Sequence, residues 1–305
     1  MILVDLSGII FSALHVDIAG GAEPHKEYIR HLTLNSLRSY NIRLREEFGE
    51  MFIIMDSNSW RLQEYEYYKW VRRHTRGNDN NDWDVIFEYL KEIQDELREH
   101  FPFPVLQIKD AEADDIIGIL ATAADEPTCI VSNDKDFVAL TSNKYVKQLR
   151  PLDKKFYTVP CARRFELDLI LSGDRADGIP NVRCPDDFLK AQQLQKDAGE
   201  KPMRAPGITA KFKQEAWEIF ESDVPKAFED FLGEEMHTRY LRNKKLISFS
   251  EIPEYIVEQT NEAFANVERN NVMKTLNFMI SKRMNIMAKC IADFKPNLNL
   301  TRSLF

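Results

Sequence analysis

Two short runs of the chain concentrate acidic side chains: Asp110-Ala-Glu-Ala-Asp-Asp and Ser132-Asn-Asp-Lys-Asp-Phe. The first contains Asp110, Glu112, Asp114 and Asp115, the second Asp134 and Asp136, with Lys135 between the last two. Carboxylates at this density repel one another unless positive charge sits among them, and a divalent cation with oxygen ligands supplies it. A plainer chemistry also fits. Acids at the start of a helix accept bonds from its first N–H groups and offset its dipole, for about 0.3–1 kcal/mol each. Asp110 and Glu112 taken alone fit either reading, so the decision rests on where the remaining acids fall.

Those acids follow buried strands. Met1-Ile-Leu-Val-Asp is a continuous apolar run that ends on Asp5, and Met51-Phe-Ile-Ile-Met-Asp repeats the pattern and ends on Asp56. A helical pattern from Lys26 to Phe48 separates them, with Ile29, Leu32, Leu37 and Leu44 on one broad side. Strand, helix and strand at this spacing predict a parallel sheet with a crossover helix, and ligands of such sheets gather beyond the carboxyl ends of the strands. The strand Cys129 to Val131 delivers Asp134 and Asp136 to the same edge. Convergence from three strands favours a metal site over capping, and leaves Asp110 as a plain N-cap.

A further helix is expected from Asp82, its cap, to His100, another from Ile116 to Ala124, and a strand at Val105-Leu-Gln-Ile. Two short strands fit 144–159, and a helix from Phe165 ends at Ser172-Gly173. Asp174 and Asp177 follow in a turn rich in helix breakers. Gln192 to Pro206 is polar and holds Gly199, Pro202 and Pro206, so a loop is expected there. Ala205-Pro-Gly-Ile-Thr-Ala-Lys211 then opens a helix to Phe220. Helix, glycine-containing turn and helix present free N–H groups to phosphate oxygens.

From Trp60 to Arg76 aromatic residues interleave with Arg61, Lys69, Arg72, Arg73 and Arg76. Helical spacing places Tyr65, Lys69, Arg72 and Arg73 near one face. Cations meet phosphates and aromatic faces stack on unpaired bases. The competing reading is an amphipathic helix whose aromatics pack into the core. A second basic cluster lies at Arg239, Arg242, Lys244 and Lys245.

The bulk properties bound these readings. With 305 residues, 44% hydrophobic and 30% charged, the chain suits one large or two modest globular domains. A formal charge of -8 argues against nucleic-acid binding through the bulk field, while leaving room for local basic surfaces. Cys129, Cys161, Cys184 and Cys290 lack zinc-like or disulfide-like spacing and are expected as free thiols in a reducing compartment. No apolar run approaches the ~18 residues of a membrane span, and Asp5 interrupts any signal-like start, so a cytoplasmic protein is expected.

The order of motifs resembles the structure-specific 5′-nuclease (flap endonuclease) superfamily. Asp5 and Asp56 end the first strands, Tyr68-Lys-x-x-Arg72 follows, and then come Glu112-Ala-Asp-Asp115, Ser132-x-Asp-x-Asp136, Gly173-Asp-x-x-Asp177 and the helix-turn-helix. Within that superfamily the likeness is nearest to the ribonuclease H-type 5′→3′ exonucleases of T-even bacteriophages. It covers 1–220 with specific motifs and the remainder in helical character.

The resemblance implies an α/β fold: a central, mostly parallel sheet flanked by helices (PIN-like), a helical arch at about 60–82 and a C-terminal helical region with a helix-turn-helix. The expected division is 1–172 for the nuclease core and 173–305 for the rest. Asp5, Asp56, Glu112 and Asp114 map onto a first metal site, and Asp115, Asp134, Asp136, Asp174 and Asp177 onto a second. Two Mg2+ ions are implied, with Mn2+ able to substitute, for phosphodiester hydrolysis.

Lys69 and Arg72 are implied to orient the scissile phosphate. Nucleic-acid contacts are implied at Arg61, Tyr68, Lys69, Arg72, Arg73, Gly207, Lys211, Arg242, Lys244 and Lys245. The implied activity is 5′→3′ exonuclease and flap endonuclease action on DNA duplexes and RNA–DNA hybrids, removing RNA primers and adjacent DNA at replication forks. The sequence departs from the family at 184–204, where extra residues split the compact glycine turn.

Implied partners of a monomeric protein are a single-strand-binding protein and a sliding clamp, the latter through the tail Arg302 to Phe305. A PIN-type endoribonuclease and a non-catalytic DNA-junction-binding protein are the competing functions.

Overall fold

The computed structural model describes residues 1–18, 23–76 and 82–297. Residues 77–81 of the arch expected at about 60–82 lie outside them, as does the tail Arg302 to Phe305. The first half of the chain runs β1 (Ile2–Asp5), α1 (Leu6–Ile18), α2 (Lys26–Phe48), β2 (Met51–Ile54), α3 (Arg61–Glu64), α4 (Trp70–Arg76), α5 (Trp83–His100), β3 (Val105–Leu106), α6 (Ala113–Thr122) and β4 (Thr128–Val131). The second half adds β5 (Val146–Arg150), β6 (Lys155–Tyr157), α7 (Ala162–Ser172), α8 (Phe188–Asp197), α9 (Ala210–Glu221), α10 (Pro225–Leu232), α11 (Glu234–Ile247), α12 (Glu254–Ala265), α13 (Val272–Ser281) and α14 (Asn285–Ala288).

Two compact units result: residues 1–58, 82–158 and 254–305 form unit 1, and residues 59–81 with 159–253 form unit 2. The expected linear division at 172/173 therefore differs from the packing. The C-terminal helices return to unit 1, where Phe278, Met279, Met287 and Phe294 are buried in the same cluster as the strands. Arg269 fastens this return by donating to the fully buried Glu50 carboxylate at 2.7 and 3.0 Å.

Unit 1 is built on a six-stranded sheet in the order β3-β2-β1-β4-β5-β6. Every pairing is parallel except β5 with β6. The central strands are buried on both faces, as continuous apolar runs require. Helix α2 supplies the crossover between β1 and β2, burying Ile29, Leu34, Leu37, Leu44 and Phe48 along one side. It spans the residues expected. Helix α1 was not anticipated: Ile9, Ile10, Ala13 and Leu14 are buried on it. Helix α5 starts where Asp82 accepts the Val85 N–H at 3.2 Å.

Register sets the site. Asp5 pairs with Ile54 and Val4 with Val131, so the ends of β1, β2 and β4 lie side by side.

Unit 2 has its own core of Leu167, Ile170, Leu171, Val182, Phe212, Ala216, Phe228, Leu232 and Tyr240. The expected single helix from Trp60 to Arg76 is broken into α3 and α4, with Lys69 at φ 53°. The loop expected from Gln192 begins later, because α8 continues to Asp197.

Candidate active site

The acids of unit 1 meet where the three strand ends align. Asp5 Oδ1 accepts the Gly8 N–H at 3.1 Å, and Asp5 Oδ2 accepts the Ser132 hydroxyl at 2.9 Å. Gly8 is required here, since a Cβ would stand 2.9 Å from Asp5 Oδ2. Asp56 Oδ2 accepts the Ser7 hydroxyl, and its Oδ1 accepts the Ala113 N–H at 2.8 Å. That second bond ties the end of β2 to the start of α6, which carries the first acidic run.

Asp134 closes the group. Its Oδ1 accepts the Asp136 N–H at 2.9 Å, and its own N–H donates to Ser132 Oγ at 3.1 Å. Fully buried Gln148 on β5 donates to the carbonyls of Ser132 and Asp134, which holds this turn against the sheet. Lys135 is exposed, as its place between two acids suggests.

At the start of α6 the first acidic run caps the helix. Glu112 is the N-cap and forms a capping box with Asp115, whose Oδ2 accepts the Glu112 N–H at 3.0 Å. Asp110, expected as the cap, instead sits two residues earlier at φ 60°. Glu112 and Asp115 are buried and Asp114 half-buried.

The electrostatics of this cluster point to a missing positive charge. The Asp5 carboxyl is pushed up from 3.8 to about 6 by burial first, and further by Asp56 and Asp134; the bonds from Gly8 and Ser132 oppose the rise. The nearest charges raising it are other acids, the situation a hard cation relieves. The donor set is all oxygen, which suits Mg2+. Among the described residues no three His, Cys, Asp or Glu side chains close around a point as a metal cage would.

Asp174 and Asp177 belong to unit 2. Asp174 Oδ1 accepts the Ala176 N–H at 2.7 Å and caps its own turn. Asp177 faces cations: its carboxylate lies 3.7 Å from Lys69 Nζ and 3.8 Å from Arg72 and accepts the Tyr68 hydroxyl at 3.0 Å. The Lys69 N–H also donates to the Asp177 carbonyl at 2.7 Å, which explains the break before α4.

Several expected nucleic-acid contacts are corrected by burial. Arg61 is 4% exposed, stacks on Trp60 at 4.6 Å and donates to the Leu246 carbonyl at 2.7 Å. Tyr68 is 2% exposed, so its ring cannot receive a base. Tyr65 is also buried and donates to the Asp186 carbonyl at 2.6 Å, off the shared face expected for it. Arg242 is held inside unit 2 by Asp186, Asn243 and the Pro180 carbonyl. Arg72, Arg73, Gly207 and Lys211 are exposed. Lys244 pairs with Glu251 at 2.8 Å, and Lys245 lies over Trp60 at 5.5 Å. The sequence reading missed the supporting groups Ser7, Gly8 and Gln148. Ser132 was visible in its motif, without the bonds it makes.

Residues 1–164 match the model of the 5′-3′ exonuclease N-terminal resolvase-like domain. The chain belongs to the 5′-3′ exonuclease family. Residues 165–294 match a second model, the C-terminal domain of T4 RNase H. The ribonuclease H of Enterobacteria phage T4 is 27% identical, over 96% of this chain and 95% of that protein. This family member is thus a nuclease of the 5′-nuclease type.

Solved structures of bacteriophage T5 proteins share its fold. The T5 D15 protein co-crystallized with metal ions aligns with a TM-score of 0.54 and 15% identity, covering 87% of this chain and 97% of that one. A T5 D15 flap endonuclease pseudo-enzyme–product complex with DNA and metal ions aligns with the same TM-score at 16% identity, over 87% and 97% of the two chains. Among the described residues no helix is long and apolar enough to cross a membrane.

Proposed function

We propose that the chain is a Mg2+-dependent 5′→3′ exonuclease and flap endonuclease that removes RNA primers and adjacent DNA from lagging-strand fragments in the host cytoplasm. The observation that carries the reading is the cluster of Asp5, Asp56 and Asp134, joined through Ser132 and the start of α6, in which burial first, and then Asp56 and Asp134, raise the pKa of Asp5. The T4 relative's name, ribonuclease H, supports RNA–DNA hybrids as substrates, and the T5 complex supports DNA.

Asp5, Asp56, Glu112 and Asp114 would hold a first ion, and Asp115, Asp134 and Asp136 a second, some through water, while Asp174 and Asp177 belong to unit 2. When bound, such ions stabilise the phosphate oxygens that gain charge and ease ionisation of water. The protein's own part is pre-organisation. Ser132, Ser7 and the Gly8 and Ala113 N–H groups donate to the ligand carboxylates and fix their direction. Lys69 and Arg72 direct positive charge toward the scissile phosphate, and exposed Arg73, Gly207 and Lys211 meet backbone phosphates with no base reading. A sliding clamp, reached through Arg302 to Phe305, and a single-strand-binding protein are the partners this role requires.

The test uses a 5′-labelled RNA–DNA hybrid and a 5′-flap DNA, each with Mg2+ or EDTA. Short labelled products appear only with Mg2+, and Asp136→Asn abolishes them. Cleavage confined to unstructured RNA would replace this reading with an endoribonuclease, and binding without cleavage with a junction-binding protein.

A further inference from the structure

Helix α8 lies within residues 184–204, and within unit 2 it packs along α4. Val71 of α4 fits against the buried Cys184, Phe188 and Leu189. Lys190 Nζ stands 5.5 Å from the ring centres of both Tyr67 and Trp70. At the far end His74 Nε2 meets Asp197 Oδ2 at 2.7 Å, and Gln193 steadies the same carboxylate at 2.9 Å. Trp70 and His74 stack with centres 4.6 Å apart and planes at 14°. Hydrophobic packing, cation–π contact and a hydrogen bond thus follow one another along the length of α4.

Helix α4 needs this support. It has seven residues, none of them buried, and a helix that short does not hold itself in water. Its entry is fixed separately. The Lys69 N–H bonds the Asp177 carbonyl, and Gly178 passes so close that a Cβ there would lie 2.5 Å from the Tyr67 carbonyl oxygen. After that anchor α4 meets α8, and Arg72 lies 3.8 Å from the Asp177 carboxylate. Trp70, Val71 and His74 share the face toward α8 by helical spacing, which turns Arg72 and Arg73 outward, where both are exposed. An exposed pair such as His74–Asp197 holds little alone, and here it closes a row of contacts.

We propose that α8 is a brace that keeps α4 helical before any substrate arrives, so that Arg72 and Arg73 are already presented to a single-stranded 5′ end. This rests on the nuclease reading above. A pre-ordered binding element escapes the ordering cost that a loop would carry at the moment of binding. The brace therefore acts first on recognition of the single strand, through Arg73, and reaches the scissile phosphate only through Arg72. Lys190, Asp197 and His74 are positioning residues.

The full-length chain carrying Lys190→Ala and Asp197→Ala tests this, since neither side chain belongs to a buried core. Without DNA or metal, amides of 71–76 should exchange about tenfold faster or more, with the β-sheet amides unchanged. On a 5′-flap with a single-stranded arm KM should rise about tenfold, while a nicked duplex without an arm keeps its KM. Asp197→Glu alone, which keeps the carboxylate, should retain parental exchange and KM. Unchanged exchange at 71–76 overturns the brace whatever the nuclease does. Faster exchange with KM raised equally on both substrates overturns the positioning role. A parent chain without nuclease activity defeats the nuclease reading instead, and the exchange measurement then decides the brace by itself.

Discussion

At the scale of single residues, Asp5 is the most informative group in the chain. Its carboxyl titrates at about 6 in the folded protein because it is buried and faces Asp56 and Asp134. The folded value lies above the unfolded one, so between about pH 4 and 6 the native state keeps a proton that the unfolded chain has released. The stability this proton contributes is lost as pH rises through 6. In EDTA, Asp5→Asn should therefore raise the melting temperature near pH 7 and change it little near pH 4, where the unfolded chain also holds the proton. Added Mg2+ should reverse the order, stabilising the parent and not the variant. Calorimetric melts at both pH values check this, and a variant equally destabilised at both would show that Asp5 is not held under charge repulsion.

The acids could be read from the sequence because each one ends a strand or starts a helix, and strand ends are legible. The substrate contacts were less so. Residue type alone does not say which way Arg61, Tyr68 or Arg242 points, and all three turn into unit 2 to satisfy carbonyls and carboxylates there.

At the scale of elements, α6 carries the question with which the sequence began. Asp115 closes the capping box and is also among the acids proposed for metal, so one residue can test both roles. Substitution can separate them. Asp115→Asn keeps an acceptor for the Glu112 N–H, whereas Asp115→Ala removes it at a cost of about 0.5–2 kcal/mol. In EDTA the Asn variant should stay within a few tenths of a kcal/mol of the parent while the Ala variant melts earlier. Isothermal titration with Mn2+ should show weakened binding in both. If the Asn variant binds metal as the parent does, Asp115 is only a cap.

Other elements were legible in proportion to their own periodicity. Helices α2 and α5 carry clear apolar stripes and their ends were read closely. Helix α1 was passed over because Ser7, Gly8 and Ser12 blur the stripe formed by Ile9, Ile10, Ala13 and Leu14. The break before α4 has no local signal, since the Asp177 carbonyl that captures the Lys69 N–H lies more than a hundred residues away in sequence. Helix α8 ran past its expected start of loop because its buried residues, Phe188, Leu189 and Gln192, are few and its remaining face is polar.

At the scale of the whole molecule, charge is divided unevenly. Of 49 acidic and 41 basic side chains, unit 2 holds 20 of each, which leaves the entire formal charge of -8 on unit 1. A phosphate backbone approaching the carboxylate cluster of unit 1 is repelled until cations occupy it, so binding of nucleic acid and of divalent metal should be linked and mutually favourable. Ca2+ serves as the probe, being a hard divalent ion with the same taste for oxygen ligands as Mg2+. Fluorescence anisotropy of a 5′-flap DNA should show affinity at least about tenfold higher with Ca2+ than with EDTA at equal ionic strength, a margin set by charge complementarity and not by general screening. The double variant Asp5→Asn with Asp134→Asn removes part of the repulsion and part of the metal site together. It should bind the same DNA more tightly than the parent in EDTA and gain less from Ca2+. Equal affinities with and without Ca2+ in the parent would mean that the acids of unit 1 do not face the phosphates, and would place the bound strand elsewhere on the protein.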